Sequence, residues 1–68
     1  MDFGEALRAA KKGSVVARHS WEGRYTLVVS FGDRGPFLRH RRSDGLVYSD
    51  PWTPKTRDLW AEDWEIVA

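Results

Sequence analysis

Arg18 and Arg24 flank Trp21, and this trio is the first stretch of the chain whose residue types can do chemistry. A guanidinium grips a pyrophosphate bidentately, and an indole stacks on a flat nucleobase for about 1–3 kcal/mol. The second such stretch begins at Trp52, between Pro51 and Thr53, where no helix or strand periodicity ties the ring to a core. Lys55 and Thr56 open a short helical turn, so an ammonium, a hydroxyl and a helix N-terminus can meet one anion there. Asp58 and Asp63 can accept from ribose hydroxyls or from an adenine amino group. Trp52 is the better ligand candidate, whereas several of the others also have a plainer use. Trp21 can pack across a sheet edge, Arg18 and Arg24 can be solvated surface charges, and Asp63 can cap the turn into the last strand. Taken residue by residue, those plainer uses are the commoner ones.

Other chemistry has weaker support. Arg39-His40-Arg41-Arg42 is the one basic cluster. Side chains alternate on a strand, so Arg39 and Arg41 share one face and His40 and Arg42 the other. Such a strand can contact phosphates, which makes a small nucleic-acid-binding β-module the alternative reading. It can also be an edge strand guarded by charge against aggregation, the commoner case. No Ser-His-Asp order, phosphate-cradling loop or metal-ligand spacing is present. The acids Glu62, Asp63 and Glu65 beside Trp64 have no histidine near them in sequence and do not by themselves make an acid/base site. The expectation is a binding protein without catalytic residues, metal or cofactor.

Size and charge narrow the classes further. Sixty-eight residues make one small domain, and a chain of about 60 residues buries only about 60% of its unfolded surface on folding. Disulfides, a structural metal or self-association are the usual remedies. With no cysteine and only two histidines, His19 and His40, self-association remains. Eleven basic and ten acidic residues give a net charge of +1, which does not fit a general nucleic-acid binder. No apolar run approaches the ~18 residues of a membrane span, and the acidic opening lacks the apolar segment of a signal peptide. A cytoplasmic protein is expected.

The elements that must position these residues read as α+β. Asp2 and Glu5 form a capping-box pair for a helix over 2–12, with Phe3, Ala6, Leu7 and Ala10 on one face and Gly13 as its stop. Residues 14–18 suit a short strand. Tyr25, Leu27, Val29 and Phe31 alternate as the apolar face of the strongest strand. Gly32-Asp33-Arg34-Gly35 reads as a hairpin loop, followed by a strand starting at Pro36. Leu46-Val47-Tyr48 suggests a short fourth strand. A helical turn over 55–60, capped by Thr53 with Pro54 at its first position, precedes a terminal strand over 64–67. The expected architecture is an N-terminal helix on a small antiparallel sheet of four to five strands. Three of the four tryptophans fall in the last third, and of these Trp64 alternates like a half-buried strand residue and Trp60 suits packing or an interface.

The two ends of the chain carry a resemblance. Phe3-Gly4-Glu5-Ala6-Leu7, Gly13, Val16-Ala17-Arg18 and Trp21-Glu22-Gly23 resemble the opening of the phage-encoded Thoeris anti-defence sponge family, second type. Asp58-Leu59-Trp60-Ala61-Glu62-Asp63-Trp64-Glu65-Ile66-Val67, with Trp52 upstream, is similar to that family's closing motif. The middle matches only loosely, at Pro36-Phe37-Leu38 and Asp44-Gly45, and position 60, usually aliphatic, is Trp60. The resemblance implies a small homo-oligomer, a dimer or tetramer, that sequesters a cyclic nucleotide immune signal without cleaving it. Cyclised ADP-ribose isomers and cyclic oligonucleotides are the ligands implied. It shifts Trp21 from the sheet edge to the ligand, where it works with Trp52.

Overall fold

The computed structural model describes residues 1–68. The elements run α1 (Phe3–Lys11), β1 (Val16–Arg18), a 3-10 turn (His19–Trp21), β2 (Tyr25–Gly32), β3 (Gly35–Arg42), α2 (Thr56–Trp60) and β4 (Trp64–Ile66). The four strands form one antiparallel sheet in the order β3-β2-β1-β4. This is the α+β architecture that the periodicities predict.

Helix α1 begins where the sequence says it should. The Asp2 carboxylate accepts from the Glu5 N–H at 2.8 Å, and the Glu5 side chain accepts from the Asp2 N–H at 3.0 Å. Gly13, at φ 102°, takes the left-handed conformation that ends it. Ala6 and Ala10 are fully buried and let the helix lie close to the sheet. Beneath them Val16, Leu27, Leu38 and Trp64 complete the core, with Phe3, Leu7 and Val29 packed at its margin.

Three expectations need correction. Residues 46–48 form no strand, only a single bridge from Val47 to Arg41. The segment nonetheless runs along the outer edge of β3, where Tyr48 N–H donates to the His40 carbonyl and Trp52 N–H to the Leu38 carbonyl. Widely spaced bonds suffice here because Pro51 has no N–H to continue a ladder. Thr53 does not cap α2. The helix starts after Lys55, whose N–H is held by the Asp58 carboxylate at 2.9 Å, and this back-reaching acid fixes the boundary two residues later than Pro54 suggests. Phe31, grouped with the apolar face of β2, is 75% exposed. The β2–β3 hairpin, closed by Asp33-Arg34 and by Gly35 at φ 107°, extends beyond the core that α1 covers.

Candidate functional site

The register places the site. Tyr25 pairs with Arg42, Leu27 with His40 and Val29 with Leu38, so these side chains share one sheet face. On β1 the same face carries Val16, opposite Leu27, and therefore Arg18. Helix α1 covers this face over Val16, Leu27 and Leu38. It stops short of Arg18, Tyr25 and His40 at one end, where aromatic rings and the 48–58 segment take over.

Five rings frame that end. Trp21, carried by the 3-10 turn, stacks on Tyr25 with centroids 4.3 Å apart. Trp52 lies 6.1 Å from Trp21 and 6.1 Å from Trp64, both edge-on. His40 meets Tyr25 edge-on at 4.5 Å. A cavity of about 530 Å³ opens between Trp21, Tyr25, His40, Tyr48 and Trp52. Its polar side is supplied by Asp50, Thr53, Lys55, Arg57 and Asp58. A second cavity of about 390 Å³ adjoins it, lined by Arg18, Ser20, Trp21, Arg24, Tyr25 and Arg57. Trp21, Tyr25 and Arg57 belong to both.

Of the nine residues singled out from the sequence, Trp21, Trp52, Thr53, Lys55 and Asp58 line the larger cavity. Arg18 and Arg24 line the smaller one together with Trp21. Thr56 is exposed on α2 and Asp63 lies just before β4, and neither lines these two cavities. Trp52 does more than line a wall: it also packs against the core, 6.4 Å from Phe3. Proximity in space, unlike periodicity, ties it to the fold.

Several charges at the site are already engaged. Arg18 donates through Nε to Asp63 at 2.8 Å and through Nη1 to Asp58 at 3.0 Å. The bond to Asp63 raises the Arg18 pKa further, against the opposing effect of burial. The same bond lowers Asp63 to about 2, assisted by the Ser20 N–H. Asp58 is buried, its second oxygen accepts from the Lys55 N–H, and its carbonyl accepts from the Trp64 indole at 3.0 Å. Arg57, by contrast, is exposed and forms no hydrogen bond or ion pair. Burial, with the Asp58 charge adding to it, raises the Tyr25 pKa, and burial lowers that of His40, so both are neutral near pH 7.

Tyr25, His40, Tyr48, Asp50 and Arg57 are the wall residues that sequence reasoning missed. Strand alternation did carry the signal for two of them. It put Tyr25 on the Leu27 face and His40 on the face opposite Arg39 and Arg41. What it lacked was the extent of α1 cover, which decides whether an inward polar ring lies in core or cavity. No cluster of three or more metal-ligating side chains is formed.

The chain is similar to the Thoeris anti-defense 2 protein of Bacillus phage SP01, with 29% identity over an alignment of 87 positions spanning all of this chain and 96% of that protein. The model of the Tad2-like family, the Thoeris anti-defense 2-like domain, matches residues 1–67. A match over nearly the whole chain, at the level of the full domain, means that the chain belongs to the Tad2-like family of Thoeris anti-defence proteins.

Proposed function

We propose that this protein binds and sequesters, without cleaving it, a cyclic nucleotide immune signal, either a cyclised ADP-ribose isomer or a cyclic oligonucleotide. The observation that carries the reading is the pair of adjoining cavities. One is walled by aromatic rings, the other by three arginines, and Trp21, Tyr25 and Arg57 are common to both. A nucleotide has the same two halves, a flat base and a phosphate chain. Trp21 and Trp52 would flank the base, with Thr53 and Lys55 beside its sugar and phosphates. Arg24 and Arg57 would meet the phosphates. Arg18 is held by Asp58 and Asp63, and in this reading the three position Trp21 and α2, with Arg18 and Asp58 also lining the site.

A binder that does not destroy its ligand acts stoichiometrically, in the host cytoplasm for a phage-encoded chain. Its dissociation constant then lies well below the signal concentration, which favours a ligand enclosed on several sides. Self-association supports such enclosure. Only eight of 68 residues are buried within one chain, and Trp60 is 81% exposed, so we infer a dimer or tetramer in solution. The nucleic-acid alternative has less support. Arg39 is bonded to the Tyr48 carbonyl and Arg42 to Asp44, leaving Arg41 as the unpaired arginine of that strand.

The test is calorimetry against cyclic ADP-ribose, cyclic di-AMP and cyclic di-GMP, followed by heating the complex and chromatography of what is released. Recovery of intact ligand is expected. A degraded product points to an enzyme, and the absence of heat with every compound removes the reading.

A further inference from the structure

His40 is placed on the core face of β3, directly opposite the fully buried Leu27. Its ring is enclosed by Tyr25 at 4.5 Å, Tyr48 at 5.7 Å and Trp52 at 6.1 Å, each close to edge-on. Its Nε2 is buried with no hydrogen-bond partner, and it is the one buried side-chain nitrogen or oxygen so left. Leaving such a group unpaired costs about 1–3 kcal/mol. A phenylalanine or leucine would fill the same place without that cost. In a domain of this size, a penalty of that order is a large fraction of the whole stability, so the imidazole is not explained by the fold.

The cavity gives it a use. His40 forms part of the wall that Tyr25, Tyr48 and Trp52 also line, and because its Nε2 is closed off in the free protein, a base must shift one of these rings to reach it. The buried polar neighbours are committed elsewhere: Asp58 to Arg18 and the Lys55 N–H, and the Trp64 indole to the Asp58 carbonyl. Burial keeps the ring neutral, so one nitrogen carries a proton and the other a bare lone pair. A proton on Nδ1 leaves Nε2 as a bare acceptor, and this is the tautomer that base recognition by Nε2 requires.

We propose that His40 determines base specificity, its Nε2 accepting a hydrogen bond from the amino group or ring N–H of a nucleobase held among the aromatic rings. This rests on the sequestration reading and names the atom that reads the base. The stacking rings tolerate any flat base, because every base has a π-face. A buried acceptor discriminates, since a ring that brings no donor leaves it unpaired.

Three measurements test it. In the ligand-free protein, long-range proton–nitrogen NMR correlations of the His40 ring should show Nδ1 protonated and Nε2 bare. A proton on Nε2 overturns the proposal without reference to any ligand. Titration with cyclic ADP-ribose, cyclic di-AMP and cyclic di-GMP should shift the Nε2 resonance as it accepts a hydrogen bond. In calorimetry His40→Phe, which keeps a ring but loses the acceptor, should weaken binding about 10- to 100-fold, while His40→Gln, which retains an acceptor, recovers part of it. Tight binding by wild type with an unchanged constant in His40→Phe overturns the role of His40 and leaves sequestration standing. No binding by wild type removes sequestration, and this inference with it. Should His40→Phe be unfolded by circular dichroism, the Nε2 shift in the wild-type titration decides alone.

Discussion

Arg18 and Asp63, 45 residues apart in sequence, meet through a 2.8 Å hydrogen bond from the guanidinium Nε to the carboxylate. That contact joins the middle of the sheet to the loop before β4 and forms a clamp beside the site. Asp63 also accepts from the Ser20 N–H, so one carboxylate holds both β1 and the turn that presents Trp21.

The clamp predicts acid sensitivity. Asp63 is lowered from 3.8 to about 2 by Arg18, so its contribution is complete above about pH 4 and is lost as pH falls through about 2. The unfolded state binds the extra proton over that interval, which makes stability rise with pH there. Urea unfolding between pH 2 and pH 5 should show this slope, and Asp63→Asn should flatten it.

Breaking the buried arm of the clamp should cost more. Asp58 is 5% exposed and joins Arg18, the start of α2 and the Trp64 indole. Asp58→Ala leaves Arg18 with Asp63 alone, removes the acceptor of the Lys55 N–H, and should destabilise by about 1–3 kcal/mol. Chemical denaturation measures it. A loss under 1 kcal/mol would show that water replaces the carboxylate cheaply.

Arg57 offers the opposite case. It is exposed and unpaired yet lines both cavities. Arg57→Ala should change folding stability by less than about 0.5 kcal/mol and weaken nucleotide binding, with a reduced salt dependence of the constant. Binding that is indifferent to this substitution would move the phosphates elsewhere.

Trp60 and Leu59 expose 81% and 46% of their surface beside Phe3 and Ala61. An indole left in water this way fits a subunit contact. Trp60→Ser should leave the far-ultraviolet dichroism unchanged and shift sedimentation toward the single chain. An unchanged assembly would remove this face from the interface.

Trp52 serves both core and cavity. Trp52→Ala should therefore lower the melting temperature and abolish binding together. Trp52→Phe should preserve most of the stability while weakening binding, and parallel melting and calorimetry would separate the two losses.

The sequence by itself determined the α+β class, α1 with its limits, and the β2–β3 hairpin. Asp2, Glu5 and Gly13 bound α1 because caps and left-handed stops act within a few residues. The alternation over 25–31 set the inward face of β2, and the terminal motifs carried the family. Local rules reached their limit where a residue's partner was distant in the chain. That Trp52 packs on Phe3, and that Arg18 pairs with Asp58 and Asp63, depends on residues 40 or more positions away. Only the tertiary structure decided those, because burial and charge pairing are properties of neighbours in space. It also decided where α1 stops covering the sheet, and so which inward residues of β2 and β3 became core and which, Tyr25 and His40, became the wall of a cavity.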